Sequence, residues 1–369
     1  MKDLKIVSVV GARPNFMKVA PLHRAFEATG RIASLIVHTG QHYDERMSDI
    51  FFTQLGMPRP HHHLGIGGGS HTHQTANVML KFEEVLAAES PDLVLVVGDV
   101  NATVACTLVA VKAGVPVAHV EAGLRSGDRS MPEEVNRVIT DGICQYHFVT
   151  EHSGLVNLAR ESTLSRGIHL VGNVMIDSLA HYREQAKDVE LLGELGLTPK
   201  QYLLATMHRP ANVDGVEGLR SILSILRQAT ERLPVVLPLH PRTANSFERH
   251  GLRAELDAVE RLHLLEPQGY LQFLSLMDNA AVIITDSGGI QEETTYLQVP
   301  CLTFRDTTER PITVELGTNR LMADLDPAKV IAALDEILGG DAKRGIVPPL
   351  WDGRAAERIA EILLAEELR

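Results

Sequence analysis

Short apolar runs recur along this chain, each closed by Gly, Asp, His or Pro and followed by a helical pattern. In the first half they are "KIVSVVG", "LIVHTG", "LVLVVGD", "VPVAHVE", "YHFVTE" and "IHLVGN"; in the second, "YLLATMH", "PVVLPLH", "LHLLEP", "AVIITDSGG" and "VPCLTFRD". Continuous β-rich runs of this length are what strands buried on both faces look like. Their alternation with helices predicts βαβ units and parallel sheets, with about a dozen strands in all. At 369 residues, the chain is too long for one ordinary core and suits two domains. The expected architecture is α/β: two Rossmann-like doubly wound domains facing a central cleft. The runs divide near Gly172, so the expected domains are 1–172 with a returning 356–369, and 173–355. The return is the amphipathic helix read in "WDGRAAERIAEILLAEELR" after Asp352.

Composition narrows the function. The chain is 44% hydrophobic and 22% charged, with a net charge of −12. An acidic chain is poorly matched to general nucleic-acid binding, though a local basic pocket for a phosphorylated small molecule remains compatible. No apolar run approaches the roughly 18 residues that span a bilayer. The opening "MKDLKIVSVVGARP" reads as a strand and lacks the apolar core and cleavage site of a signal peptide. Cys106, Cys144 and Cys301 are far apart with no CxxC pair. They read as free thiols in a reducing cytoplasm, and they argue against metal held through sulfur.

In parallel sheets, function sits at the carboxyl ends of strands. There the chain places Arg13, Gln41, His42, Asp99, Glu121, His208, His240, Ser287 and Arg305. "VIITDSGGIQEE" is a strand, a Ser287-Gly288-Gly289 turn and a helix start. It fits either a plain strand–helix turn or a phosphate cradle, in which glycines admit the anion and the helix N-terminus supplies positive charge. It is neither GxGxxG nor GxxxxGK[ST], which argues against NAD and ATP hydrolysis. In "VVGARPNFMK", Arg13 and Lys18 oppose the dipole at a helix N-terminus, which a bound anion would repay. Asp99 in "VVGDVNAT" reads as an N-cap or, since Asn101 is better placed to cap, as a free carboxylate. His208 in "TMHRPANVD" and His240 in "LPLHPRTAN" could exchange protons near neutral pH or pair with phosphate. "RPHHHLGIGGGSHTHQ" reads as a mobile glycine-hinged loop, because neighbouring histidines cannot converge on one ion. "AHVEAGLRSGDRSMPEEVNR", from Ala118 to Arg137, is either a solvated charged loop or a proton-transfer site.

The motifs "GARPNFMKVAP", "HTGQH", "GDVNAT", "HVEAGLRSGD", "MPEEVNR", "TMHRPANVD", "HPRT", "TDSGGIQEE" and "RDTTERP" resemble, in order, those of the non-hydrolysing UDP-N-acetylglucosamine 2-epimerases. The resemblance runs from residue 5 to about residue 320. It implies a GT-B-like fold with the substrate between two lobes, the second of them binding UDP. It also implies a homodimer and interconversion of UDP-GlcNAc and UDP-ManNAc. No metal or nicotinamide cofactor is called for. In such enzymes UDP is eliminated to leave 2-acetamidoglucal, then adds back after a proton reaches the other face of C2. By resemblance, Asp99, Glu121 and Glu133 are the acid/base carboxylates, and His208 assists the leaving phosphate or a proton transfer. Arg13, Lys18, His240, Ser287, Gly288, Gly289 and Arg310 would hold the diphosphate and uridine, and Glu293 the ribose hydroxyls. Arg125 and Asp128 would shape the loop, while Glu134, Arg129 and Arg137 read simply as ion pairs, worth little if exposed.

Two departures matter. "RPNFMK" and "HRPAN" replace the commoner "RPEAIK" and "HRREN" but keep Arg13, Lys18 and His208. Some bacterial members bind a second UDP-GlcNAc as activator through "QHR.M" and an Arg-Gln-Thr triplet. Here those read "QHYDERM" and His73-Gln74-Thr75, with Tyr43 and Asp44 in the first, so a weakened or absent activator site is expected. "TGQHYDERMSDIFF" and "RSMPEEVNR" also resemble epimerases of UDP-2,3-diacetamido uronic acids. The alternatives are therefore that modified sugar, a hydrolysing epimerase releasing ManNAc and UDP, a glycosyltransferase of the same fold, and a non-catalytic sugar-nucleotide sensor.

Overall fold

The computed structural model describes residues 4–40, 56, 59–161, 167–187 and 190–366. They form two compact units, one running to Ser178 and resuming at Pro349, the other Leu179–Pro348. The first holds β1 (Leu4–Val10), β2 (Ile32–His38), β3 (His62–His63), β4 (Leu93–Val97), β5 (Val117–Val120), β6 (Tyr146–Val149) and β7 (Gly167–Leu170). They form one sheet in the order β3-β2-β1-β4-β5-β6-β7. The second holds β8 (Leu203–Thr206), β9 (Val235–Pro238), β10 (Leu262–Leu265), β11 (Val282–Thr285), β12 (Cys301–Phe304) and β13 (Asn319–Met322), in the order β10-β9-β8-β11-β12-β13. Every pairing is parallel.

The apolar runs are strands for the reason expected. Every residue of β4 and β11 is buried, because helices cover both faces. The helix Asn101–Lys112 is buried along most of its length between Val7, Val94 and Phe82 of the core and its neighbouring helices His71–Glu89 and Pro132–Ile143. In each sheet the strand order reverses once, between β1 and β4 and between β8 and β11. At such a switch point the two following connections leave in opposite directions and open a crevice at the strand ends. The chain places Gly11–Arg13 and Gly98–Asp99 after one such strand pair, and His208 and Asp286–Ser287 after the other.

Three expectations need revision. The chain leaves the first unit at Ser178 and re-enters at Pro349, not at 172 and 356. Side-chain ties hold the extra residues there. Ser178 Oγ donates to the Met17 carbonyl, and the buried Trp351 indole donates to the Thr150 carbonyl at 3.0 Å. Asp177 accepts from the backbone N–H of Ala355 (3.1 Å) and Ala356 (2.7 Å), so it caps the returning helix Ala355–Ala365. The histidine-rich segment is not one loop. His62–His63 pairs with Val37 and His38 as an edge strand, and Ser70 Oγ caps the helix His71–Glu89 by accepting from the His73 N–H. β13 was not anticipated, because "NRLM" lacks a continuous apolar run and becomes a strand by pairing with β12.

Candidate active site

The first cluster lies at the carboxyl ends of β1, β4 and β5. Asn15 organises the turn after β1: its Oδ1 accepts from the N–H of Gly11 (3.2 Å) and Ala12 (2.8 Å), and its Nδ2 donates to the Val97 carbonyl at 3.2 Å. That starts the helix Arg13–Thr29 and ties it to β4. The Arg13 side chain lies outside the described part, as do Gln41, His42, Tyr43 and Asp44. Lys18, buried on this helix, donates from Nζ to Glu121 Oε2 at 2.6 Å. Gly98 has φ +67°, and a Cβ there would stand 3.1 Å from Lys18 Nζ, so both backbone and space call for glycine.

Glu121 is the unusual member. It follows β5 with φ 72°, a left-handed conformation that costs a non-glycine residue on the order of 1–3 kcal/mol. Its N–H donates to the Phe148 carbonyl at 3.1 Å, which holds it in place. Its side chain is buried; Oε2 takes the lysine, while Oε1 is buried with no hydrogen-bond partner among the described residues. Behind it, His119 is fully buried with Nδ1 2.6 Å from Asp141 Oδ1 and Nε2 2.8 Å from the Gly98 carbonyl. Both ring nitrogens are thereby engaged. Asp141 also accepts from the Gly123 N–H (3.0 Å) and pairs with Arg125 (2.7 Å). Against the penalty of burial, His119 and Arg125 hold its carboxyl down to about 2. Ligand atoms of His119, Asp141 and Cys144 lie within 4.8 Å of one another. They do not suit a cation: the imidazole is committed on both sides, a guanidinium already occupies the carboxylate, and burial raises the thiol's pKa.

The charged stretch after Glu121 is mostly internal structure. Arg125 bridges Asp141 and Glu161, and Asp128 accepts from the Ser130 N–H and hydroxyl. Glu134 and Arg137 do form an ion pair, at 2.7 Å, but both side chains are only 4% exposed. Glu134 also accepts from the N–H of Ser126 (2.9 Å) and Gly127 (3.0 Å) and from the Ser126 hydroxyl (3.0 Å). These bonds outweigh its burial and hold its carboxyl below the usual range. Arg137 continues to Asp99 Oδ2, at 2.7 Å from Nη2 and 3.1 Å from Nε. Glu133 is half-buried in the first turn of the same helix, and its side chain makes no hydrogen bond or ion pair with a described residue.

The second cluster surrounds the switch point between β8 and β11. Asp286 is completely buried, and its carboxylate gathers the N–H of His208 (2.9 Å) and Arg209 (2.8 Å), Asn212 Nδ2 (3.1 Å) and His208 Nδ1 (2.8 Å). His208 and the backbone N–H groups keep it ionised in spite of burial. His208 is thereby oriented through Nδ1, and its side chain stays 40% exposed. The His240 ring lies 5.3 Å from that of His208, and its Nδ1 accepts from the Arg242 N–H, capping the helix Pro241–Arg249. Burial, and next the neighbouring His208, lower the His240 pKa.

Ser287 is the N-cap of the helix Gly288–Leu297. Against that first turn lie two guanidinium groups: a Cβ at Gly288 would stand 3.2 Å from Arg310 Nη1 and 3.4 Å from Arg305 Nη1. Arg310 pairs with Glu292 (2.8 Å) and Glu309 (2.7 Å), and Arg305 pairs with Glu309 (2.8 Å). The two arginines depress the Glu309 carboxyl strongly despite its burial. Glu293 is buried beside the Tyr270 hydroxyl, which stands 3.4 Å from Oε1. Burial and then the charge of Glu292 raise its pKa from 4.5 to about 8. A folded value above the unfolded one stabilises the fold fully below the unfolded value, and this stability is lost as pH rises through the folded value. Glu293→Gln is therefore expected to gain stability relative to the native chain between pH 4.5 and about 8, with no further gain above. Urea midpoints across that range would show it, and a pH-independent difference would refute it.

The profile of the family described as UDP-N-acetylglucosamine 2-epimerase matches residues 24–364. The chain belongs to that family. With it comes the class, an isomerase of the non-hydrolysing type. Among this epimerase's relatives, the UDP-N-acetylglucosamine 2-epimerase of Methanocaldococcus jannaschii is 41% identical over 98% of this chain and 99% of its own. The UDP-2,3-diacetamido-2,3-dideoxy-D-glucuronate 2-epimerase of Pseudomonas aeruginosa is 37% identical over the same shares. The crystal structure of the M. jannaschii enzyme in complex with UDP-GlcNAc and UDP superposes with a TM-score of 0.88, covering 98% of this chain and all of that one. The UDP-GlcNAc-bound enzyme of Neisseria meningitidis, 32% identical, gives the same score and covers the same shares. The α/β class and the GT-B-like pair of Rossmann-like units follow from this match.

Sequence reading of this epimerase found the strand-end residues and missed their supports. His119 lies inside the apolar run of β5 and Asp286 directly after that of β11, and a polar residue so placed is the signal that could have marked them. Asn15 and Asp141 lie within helices, where no such signal singles them out.

Proposed function

We propose that this epimerase interconverts UDP-GlcNAc and UDP-ManNAc by elimination and re-addition of UDP through 2-acetamidoglucal. The observation that carries the reading is Glu121: a buried, backbone-strained carboxylate with one oxygen on Lys18 and the other without a described partner. Strain held in place beside a buried charge pair marks a chemical role more often than a structural one. In the first step the C2–H bond breaks and its proton passes to a carboxylate. The C1–O bond breaks with its electron pair going to UDP, and a C1=C2 double bond forms. Return of a proton to the opposite face of C2 and re-addition of UDP at C1 complete the inversion. Asp99, Glu121 and Glu133 supply the proton acceptors and donors. His208, oriented by Asp286, assists the leaving phosphate.

Diphosphate binding falls to the Ser287-Gly288-Gly289 helix start with His240 and Arg310, and ribose binding to Glu293. A Cβ at Gly289 would meet no described atom within 4 Å, so packing does not require glycine there, whereas close approach of a phosphate does. The homodimer and the cytoplasmic location belong to the same proposal. No helix among the described residues is long and apolar enough to cross a membrane.

A second substrate has its own support in the 37% identity to the diacetamido-glucuronate epimerase. Proton NMR of purified protein with each UDP-sugar in D₂O, with EDTA present, distinguishes them. UDP-ManNAc with deuterium at C2 supports the main reading; turnover of only the diacetamido uronic acid supports the second. Free ManNAc with UDP, or binding without turnover, overturns both.

His73, which stands where the activator triplet has arginine, is engaged with Ser70 Oγ at 3.0 Å. We expect initial rates to depend hyperbolically on UDP-GlcNAc. Sigmoidal kinetics, or an absolute need for UDP-GlcNAc when starting from UDP-ManNAc, would refute the loss of the activator site.

A further inference from the structure

We infer that Arg137 is a positioning residue for this reaction, acting through Asp99; the inference rests on the 2-epimerase reading above. Two residues of the helix Pro132–Ile143 grip the turn after β4, and a third holds one of them. Arg137 donates from Nε and Nη2 to a single oxygen of Asp99, Oδ2, at 3.1 and 2.7 Å. Asn136 Nδ2 donates to the Asp99 backbone carbonyl at 2.8 Å. Glu134 holds the third guanidinium nitrogen, Nη1, at 2.7 Å. The guanidinium is 4% exposed, so it is clamped, whereas Asp99 is 30% exposed.

The consequence is directional. Oδ2 is committed twice, while Oδ1 accepts no hydrogen bond from a described residue. A carboxylate fixed by one oxygen presents the other in a defined direction, which is what a proton acceptor at C2 requires. Glu134 anchors the clamp from behind: its Oε2 accepts from Ser126 twice and from Arg137, and its Oε1 from Gly127. It is therefore a brace and not a spare acid. Glu133 lies in the first turn of this same helix, so the element that aims Asp99 also carries a second proposed carboxylate. Lysine at position 137 could not reproduce this, since one ammonium cannot hold Asp99 and Glu134 in the planar fork of a guanidinium.

A double-mutant cycle on kcat, read as the rate of C2 proton–deuterium exchange, tests the inference. Arg137→Gln is expected to lower kcat by about 10–100-fold, and Asp99→Asn by about 10²–10⁴-fold. In the Asp99→Asn background Arg137→Gln should cost less than about threefold, because the residue it acts through is already disabled. The dissociation constant for UDP should change by less than about threefold in the single variant, separating kcat from binding. Multiplicative losses, or a kcat loss matched by lost UDP affinity, would show a general structural role and overturn the inference. If Asp99→Asn exchanges too slowly to follow, Arg137→Lys decides: a kcat loss similar to that of Arg137→Gln with unchanged UDP affinity supports the fork, and full activity overturns it. A native protein that exchanges no C2 proton brings down the parent reading and this inference together. An active native protein with multiplicative losses brings down this inference alone.

Discussion

Glu121→Gln is expected to lower kcat by roughly 10²–10⁴-fold and to destabilise the fold at the same time. The two effects have different causes. Catalysis is lost because an amide cannot take or give the C2 proton. Stability is lost because Lys18, buried 2.6 Å from Oε2, would keep its charge without a counter-ion. Breaking a buried pair from one side typically costs about 3–5 kcal/mol. Removing both charges with Glu121→Gln/Lys18→Met should recover most of the stability, because an apolar pair tolerates burial, while kcat stays low. Urea unfolding and C2 exchange measured on the single and double variants separate the two. Exchange within tenfold of the native rate in Glu121→Gln would exclude Glu121 from proton transfer. An unrecovered double variant would show that the strained backbone depends on this ion pair.

Asp286→Asn should be the next most damaging change, with a kcat loss of about 10²-fold or more. The carboxylate accepts two backbone N–H groups, an amide N–H and the His208 ring. Asparagine offers one acceptor oxygen and turns an N–H₂ toward donors, leaving buried donors unpaired at about 2 kcal/mol or more. His208 would also lose the partner that fixes its Nδ1. His208→Asn is the control, since that ring is 40% exposed and Asp286 keeps two backbone N–H groups and the Asn212 amide when the ring is lost. It should lower kcat with little change in stability. Equal destabilisation by both variants would mean that His208 is structural; undiminished turnover in His208→Asn would remove it from the leaving-group role. The pH dependence follows the sign of the shift. Asp286 is held below its ordinary value of 3.8 when folded, so its contribution is full above that value and fades as pH falls further.

Much of this molecule is written locally in its sequence. Both sheets follow from apolar runs such as Leu93–Val97 and Val282–Thr285, because a strand covered on both faces must be apolar at every position. The positions of Asp99, Glu121, His208 and Ser287 follow from the same rule, since each comes directly after such a run. What the sequence could not supply was pairing across distance. Asp99 meets Arg137, Lys18 meets Glu121, and His208 meets Asp286, each across a span of chain that carries no local pattern. Glu134 and Arg137 look like a solvated charge run until the helix carrying them packs against the Asn101–Lys112 helix and shuts out water. The left-handed backbone of Glu121 is likewise invisible in one dimension, because it is held in part by the bond of its N–H to Phe148 on the next strand. Local chemistry thus determined which side chains reach the strand ends. Tertiary packing decided which of them are charged, paired or free, because burial and the choice of partner are properties of neighbours in space.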